Sequence, residues 1–89
     1  MNAIVTVIGK DRVGIIAGVS SVMAENNINI LDISQTIMKG YFTMIMLVET
    51  GDSGRDIGEI RKLLEQTGEQ YGVSINLQRQ DVYEAMHRI

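Results

Sequence analysis

The chain has 89 residues, of which 45% are hydrophobic and 21% charged, a composition typical of one folded domain rather than of a disordered chain. Its formal net charge is −3 and its eight basic residues are spread along the sequence with only three tyrosines and one phenylalanine, which argues against nucleic-acid binding through a basic face. The absence of cysteine excludes disulfides and thiolate metal sites, and no apolar run approaches the roughly 20 residues that span a bilayer, so we expect a cytoplasmic protein that binds no membrane.

The first predicted element is an apolar, β-branched segment at 2–8, typical of a strand at the centre of a sheet. The turn that follows reads Gly9-Lys10-Asp11-Arg12-Val13-Gly14-Ile15-Ile16. Its glycines allow a sharp turn, and its charged residues lie beside the free amides of a helix N-terminus, where an anionic ligand group is favoured. The same residues also fit an ordinary strand-to-helix turn, in which Asp11 caps the helix while Lys10 and Arg12 are solvated.

An amphipathic helix is predicted from this turn to about Asn26. Its apolar positions recur at helical spacing, at Val13, Ile16, Ser20 and Met23, with Ile15, Val19 and Val22 extending the stripe. Two glycines lie four residues apart on it, and a glycine inside a helix requires a compensating reason. For Gly18 we expect close packing against a strand or a second helix. For Gly14, close packing and exposure of the backbone to a ligand are both open.

Asn26 and Asn27 are predicted to end the helix, and a long strand follows at 28–38. On its alternating pattern Asn29, Leu31, Ile33, Gln35 and Ile37 share one face, and Ile30, Asp32, Ser34, Thr36 and Met38 share the other. Asp32 is the only charge on the second face, where its carboxylate either enters a ligand pocket or faces water. Lys39-Gly40 is predicted to form a tight turn to a second hairpin strand at 41–49.

After a loop at 50–54, Ser53 or Asp52 is predicted to cap a second helix with a charged, solvated face. Its apolar positions are Ile57, Ile60, Leu64 and Tyr71. Gly72 is expected to close this helix, and the alternating segment 73–79 predicts a strand with one buried face.

The element order β-α-β-β-α-β predicts an α+β, ferredoxin-like sandwich in which two helices pack on one face of a four-stranded antiparallel sheet. We expect this domain to span residues 1–80, followed by a C-terminal helical extension at 81–89. Asp81 and Glu84 fit the start of that helix, and its apolar stripe is Val82, Ala85, Met86 and Ile89. A helix this short requires docking, on the uncovered sheet face of the same chain or of a second copy.

Two motifs resemble the ACT domain family, a group of small regulatory domains of ferredoxin-like fold, and the resemblance extends from about Asn2 to Arg79. Residues 11–17 are similar to the family's Asp-x-Pro-Gly-hydrophobic-hydrophobic-Ala turn, and residues 24–30 are similar to its helix end and strand start. The chain resembles bacterial proteins that consist of one ACT domain, and it is also similar to ACT domains of the glycine cleavage system transcriptional repressor. Val13 stands where the family usually has proline, which leaves the turn less rigid.

The resemblance implies a regulatory protein that binds a small molecule, an amino acid, between two ACT domains of a homo-oligomer based on dimers. One copy would contribute Lys10, Asp11, Arg12, Val13, Gly14 and Ile15, and the other copy Asn29, Leu31 and Asp32. The amides near Gly14 and Ile15, with Lys10 or Arg12, would bind the ligand carboxylate; Asp11 or Asp32 would bind its ammonium group, and Asn29 either one.

No catalytic residue, cofactor or metal site is predicted. The single histidine, His87, cannot supply a nucleophilic triad, and neither a phosphate-binding glycine motif nor a metal-ligand spacing is present in the sequence. The signal must then pass to a regulated protein partner. The alternative is an interaction module that binds no ligand and pairs with itself or with another ACT-bearing protein.

Overall fold

A computed structural model describes residues 2–10 and 13–86 of the chain. The described elements are the strands β1 (Asn2–Lys10), β2 (Asn29–Met38), β3 (Tyr41–Glu49) and β4 (Ser74–Arg79), and the helices α1 (Ile15–Glu25), α2 (Ile57–Tyr71) and α3 (Gln80–Met86), with a short 3-10 turn at Gly51–Ser53. The strands form one antiparallel sheet in the order β2-β3-β1-β4. The predicted βαββαβ ferredoxin-like fold with a C-terminal helix is therefore confirmed, and β1 lies inside the sheet as predicted.

One face of the sheet is buried beneath α1 and α2. Alternate residues of the two central strands point into this layer, with every second residue of β1 from Ala3 to Val7 and of β3 from Phe42 to Val48 at most 1% exposed. The helices meet them with Ile15, Val19, Met23, Ile60 and Leu64. Burial on this scale is the main force that holds so small a domain together.

Helix α1 is rotated relative to the predicted stripe. The buried residues are Ile15, Val19 and Met23, a narrow i, i+4, i+8 row, whereas Val13 is fully exposed and Ile16 is 41% exposed. The prediction that Val13, Ile16 and Ser20 belong to the core face is wrong. Apolar side chains surround this helix at its start, so periodicity alone does not identify the face that the sheet covers.

The two interior helix glycines that permit close packing are Gly18 and Gly68. A Cβ added at Gly18 would clash with the ring of Tyr71, so the expected close approach of α1 to a second helix is confirmed. A Cβ at Gly68 would lie 2.6 Å from the carbonyl oxygen of Val73, which brings the end of α2 against the start of β4. Glycine offsets its low helix propensity here by letting backbones approach.

The start of α2 corrects a sequence prediction. Ser53 and Asp52 lie in the 3-10 turn, and the cap is Asp56, whose Oδ1 accepts a hydrogen bond from the Glu59 backbone amide at 2.8 Å. Gly72 closes the helix at φ 70° as predicted. Arg61, on the exposed side of α2, reaches β4 and donates from Nη2 to the Leu77 carbonyl oxygen at 3.2 Å.

Replacing Asp56 with Ala is expected to lower the free energy of unfolding by about 1 kcal/mol, because the Glu59 amide loses its acceptor. Asp56→Asn keeps an acceptor oxygen and should recover most of that loss. Chemical denaturation of the three proteins measures the difference. Equal stability of all three proteins would show that the cap contributes nothing.

Helix α3 differs from its predicted start and keeps its apolar stripe exposed. It begins at Gln80, and Asp81 accepts hydrogen bonds from Arg79 and from the Val82 amide instead of capping the helix across three residues. It contacts β1 and β4, while Val82 and Met86 remain 44% and 57% exposed. Residues 87–89, which include His87 and the last position of the predicted stripe, lie outside the described residues.

Candidate functional site

The turn between β1 and α1 departs from one end of the sheet. Lys10 is the last residue of β1 and is exposed, and Gly14 occupies the N-cap position of α1. The Gly14 backbone has φ 92°, and a Cβ added there would meet no heavy atom of the described residues within 4 Å. Of the two roles left open for Gly14, close packing is thus excluded: the position requires glycine for its left-handed backbone.

The start of α1 presents backbone rather than side chains. Ile15 is 1% exposed, so its side chain anchors the helix in the core and only its amide is available to a ligand. No acidic residue occupies the first turn, which leaves the positive end of the helix dipole uncompensated among the described residues. Asp11 and Arg12, both predicted to belong to this site, lie outside the described residues.

The predicted strand half of the site contains a β-bulge. Strand β2 pairs with β3 in continuous register except between Ile30 and Asp32, so Leu31 is the extra residue and is 48% exposed. The bulge corrects the predicted alternation, because Asn29 and Asp32 now share the face that carries no helices while Ile30 lies with Ile33 on the other face. Asp32 is exposed and its Oδ1 accepts a hydrogen bond from the Ile33 amide at 2.9 Å.

Within one chain the two halves of the predicted site lie far apart. Lys10 pairs with Tyr41 at one end of β3, whereas Asn29 pairs with Glu49 at the other end, and Asp32 pairs with Leu47. Leu47 is six residues along the strand from Tyr41, a distance of about 20 Å at the usual rise of a strand. A single amino acid cannot bridge this distance, so one copy of the chain does not hold both halves of the site together.

Each half borders a shallow groove. Gly14 opens onto a groove between α1 and α2 whose walls include Ala17, Ser21 and Gln70. Asn29 lies in another, beside Asn27. No sequence pattern indicates the α1–α2 groove, because Gln70 is 56 positions from Gly14 and no periodicity links them.

Across residues 2–10 and 13–86, acidic and histidine side chains form no group of three or more that could hold a metal ion. No helix in the described part of the chain is long and apolar enough to cross a membrane.

Comparisons with known proteins agree with the observed fold. The ACT domain family matches residues 2–78. A UPF0237 protein of Clostridium perfringens is 51% identical over 89 residues, which cover 100% of both chains. The solved structure of an ACT domain protein from Streptococcus pneumoniae is 45% identical, with a TM-score of 0.83 and 94% of each chain covered.

A structure described as a glycine cleavage system transcriptional repressor has a TM-score of 0.77 at 24% identity; the match covers 89% of this chain and 45% of that one, and shows a shared fold. The family match and the high identity to single-domain relatives establish the family. The chain belongs to the ACT domain family, whose members typically serve as regulatory ligand-binding modules.

Proposed function

We propose that this chain is an amino-acid sensor that acts as a homo-oligomer, based on dimers, and passes its signal to a regulated protein partner. The supporting observation is that the two halves of the predicted site lie at opposite ends of a sheet whose edge strand, β2, is open. Every residue from Leu31 to Gly40 is exposed. An unpaired edge of this length and apolar content is a template for another strand.

Pairing of β2 with its copy about a two-fold axis would bring the halves together. Strands related by such an axis run antiparallel, so the Met38 end of one β2 meets the Asn29 end of the other. The turn leaves the sheet at the Met38 end, because Met38 and Lys10 both pair with Tyr41. The Lys10–Ile15 turn of one copy then approaches Asn29 and Asp32 of the other, and each dimer contains two sites.

The chemistry of the assembled site suits a zwitterion. The uncompensated amides of the first turn of α1, with Lys10 or Arg12, would bind the carboxylate. A carboxylate of Asp11 or Asp32 would bind the ammonium group in a charge-assisted hydrogen bond, and Asn29 can donate to or accept from either end. Leu31 and Val13 offer exposed apolar contacts to the ligand side chain.

A ligand-free interaction module is the second candidate. The observation in its favour is the number of large apolar side chains left exposed on β2 and α3, among them Ile33, Ile37 and Val82. Such surface suits a protein partner without any small molecule. In that case oligomerisation or docking is the whole function.

Thermal unfolding in the presence of each of the twenty amino acids, at millimolar concentrations, distinguishes the two candidates. A sensor gains about 2.7 kcal/mol when its ligand is at a hundredfold excess over Kd, whereas the interaction module gains nothing. The double variant Asp11→Ala/Asn29→Ala should lose the gain. Glu65→Ala, on the exposed face of α2, is the matched control and should keep it. Stabilisation that survives in the double variant would contradict the residue assignment.

A mixing experiment tests whether the site is shared between copies. Asp11→Ala alone damages the turn half and Asn29→Ala alone damages the strand half. In a mixed dimer one site receives both damaged halves and the other receives both intact halves. Unfolding and refolding the two variants together should therefore restore binding to about one site in two of the mixed dimers. Failure to restore any binding would place both halves of the site in the same copy.

A further inference from the structure

The sheet face opposite α1 and α2, which we call the helix-free face, is uncharged over its centre. Large apolar side chains on it remain exposed: Ile8 by 47%, Met38 by 65%, Tyr41 by 58% and Ile45 by 37%. Between them lie small or neutral polar residues, namely Thr6, Ser34, Thr36, Thr43, Asn76 and Gln78. Exposed isoleucine beside threonine on a sheet resembles the inner face of a β-sandwich more than a solvated surface.

The charges of this face lie toward its two ends and have opposite sign. Lys10 is at the end where β1 pairs with Tyr41, and Asp32 lies toward the other end. Thr6 and Ile45 form the middle pair of the nine-residue β1–β3 ladder. A two-fold axis can pass over this pair, parallel to the sheet and perpendicular to the strands. It places the basic end of one copy over the acidic end of the other, so the face is complementary to itself.

The face is large enough for a specific contact. Side by side, the four strands are about 19 Å wide, and the two central strands are about 30 Å long. Allowing for the shorter β4, the face covers roughly 500 Å² per copy, so a pair would bury about 1,000 Å². That value reaches the lower bound of specific protein interfaces. Helix α3 follows Arg79, which pairs with Ala3 at the opposite end of the sheet from Lys10. In the pair of copies, the Lys10 end of the partner would cover this end, where the exposed Val82 and Met86 of α3 add apolar surface.

We propose that the helix-free face binds a second copy of this chain, sheet against sheet, with the strands of the two copies antiparallel and Thr6 and Ile45 at the axis. This contact covers the face on which Lys10 and Asp32 also lie, and it uses a different surface from the β2 edge. Chains that use both surfaces form a closed assembly of four copies.

Ile45→Glu tests the contact at its axis. Each introduced carboxylate would face its own copy, so the two like charges should raise the dissociation constant of the contact by roughly a hundredfold or more. Sedimentation equilibrium should then show that the variant has half the mass of the wild-type particle. Ile8→Glu, also on this face and 47% exposed, should act in the same direction.

Ile16→Glu is the matched control, since Ile16 is the same residue type, 41% exposed, and lies on α1, on the opposite side of the sheet and away from the β2 edge. It should leave the sheet-to-sheet contact intact, and circular dichroism should show all three variants folded. A wild-type monomer, or an Ile45→Glu mass equal to that of the wild type, would overturn the proposal. The amino-acid response is measured in the wild type and in Ile45→Glu. Its absence from both, when Ile45→Glu halves the mass, would contradict the sensor alone.

Discussion

Replacing Phe42 with Ala is expected to lower the free energy of unfolding by about 3–5 kcal/mol, a large part of the stability of a domain this small. Phe42 is 1% exposed and is the largest of the fully buried side chains of the described residues. Its cross-strand neighbour on β1 is Gly9, which has no side chain to move into the vacated space. The cavity would therefore persist beneath the end of the sheet from which the Lys10–Ile15 turn departs.

Denaturant unfolding of Phe42→Ala, Phe42→Leu and Ile37→Ala tests this expectation. Phe42→Leu retains most of the volume and should lose less than half as much stability as Phe42→Ala. Ile37 pairs with Phe42 on the same side of the sheet but is 59% exposed, so its truncation should cost less than about 1 kcal/mol. Equal losses of stability in Phe42→Ala and Ile37→Ala would contradict the expectation that the buried side chain contributes more than the exposed one.

Gly68→Ala is expected to destabilise the fold by about 1–3 kcal/mol even though alanine is the better helix former. The added Cβ would lie 2.6 Å from the Val73 carbonyl oxygen, which belongs to backbone. The Gly68 carbonyl oxygen also accepts hydrogen bonds from the amides of Gly72 and Val73. The turn therefore cannot move away from the added Cβ without breaking these hydrogen bonds. Overpacking here should exceed the gain in helix propensity.

Gly58→Ala is the matched control, because Gly58 lies in the first turn of the same helix and is exposed. Its added Cβ would approach only the Asp56 side chain, at 3.3 Å. The contacted atom is Oδ1 of an exposed side chain that can shift by a few tenths of an ångström, so this substitution should change stability by less than about 1 kcal/mol in either direction. Thermal or denaturant unfolding of both variants gives the comparison, and a Gly68→Ala protein as stable as Gly58→Ala would show that the α2–β4 junction is looser than the structure indicates.

Strong local signals made most of the fold predictable. The Lys39-Gly40 turn has positive φ at both residues, as the tight hairpin requires, and Gly72 and the Asn26-Asn27 pair end their helices as predicted. The errors occurred where two residues could serve equally well. Asp56 displaced Ser53 as a cap because the 3-10 turn delays the helix, and the buried face of α1 depended on the sheet beneath it.

The candidate site was less accessible to sequence reasoning. The Gly14 turn and the Asn29 strand start were identified as motifs, but the distance between them depends on the register of β3, which no local pattern reveals. No sequence pattern predicts the bulge at Leu31 either, and because of this bulge Asn29 and Asp32 lie on the same face of the sheet. Register and bulges are set by tertiary pairing, and for this reason the structure was needed to give the separation of the two halves and to show that Asn29 and Asp32 share a face.

The hydrogen bond from Arg61 of α2 to β4 affects whether the sheet of one copy could extend into the sheet of the next. A sheet with two bare edges can grow head to tail, β2 of each copy adding to β4 of the next, into an endless ribbon. The guanidinium already donates to the Leu77 carbonyl oxygen of β4, so a strand that used this oxygen would compete with it. In the proposed dimer the two β2 edges would satisfy each other, and growth along the sheet would end there.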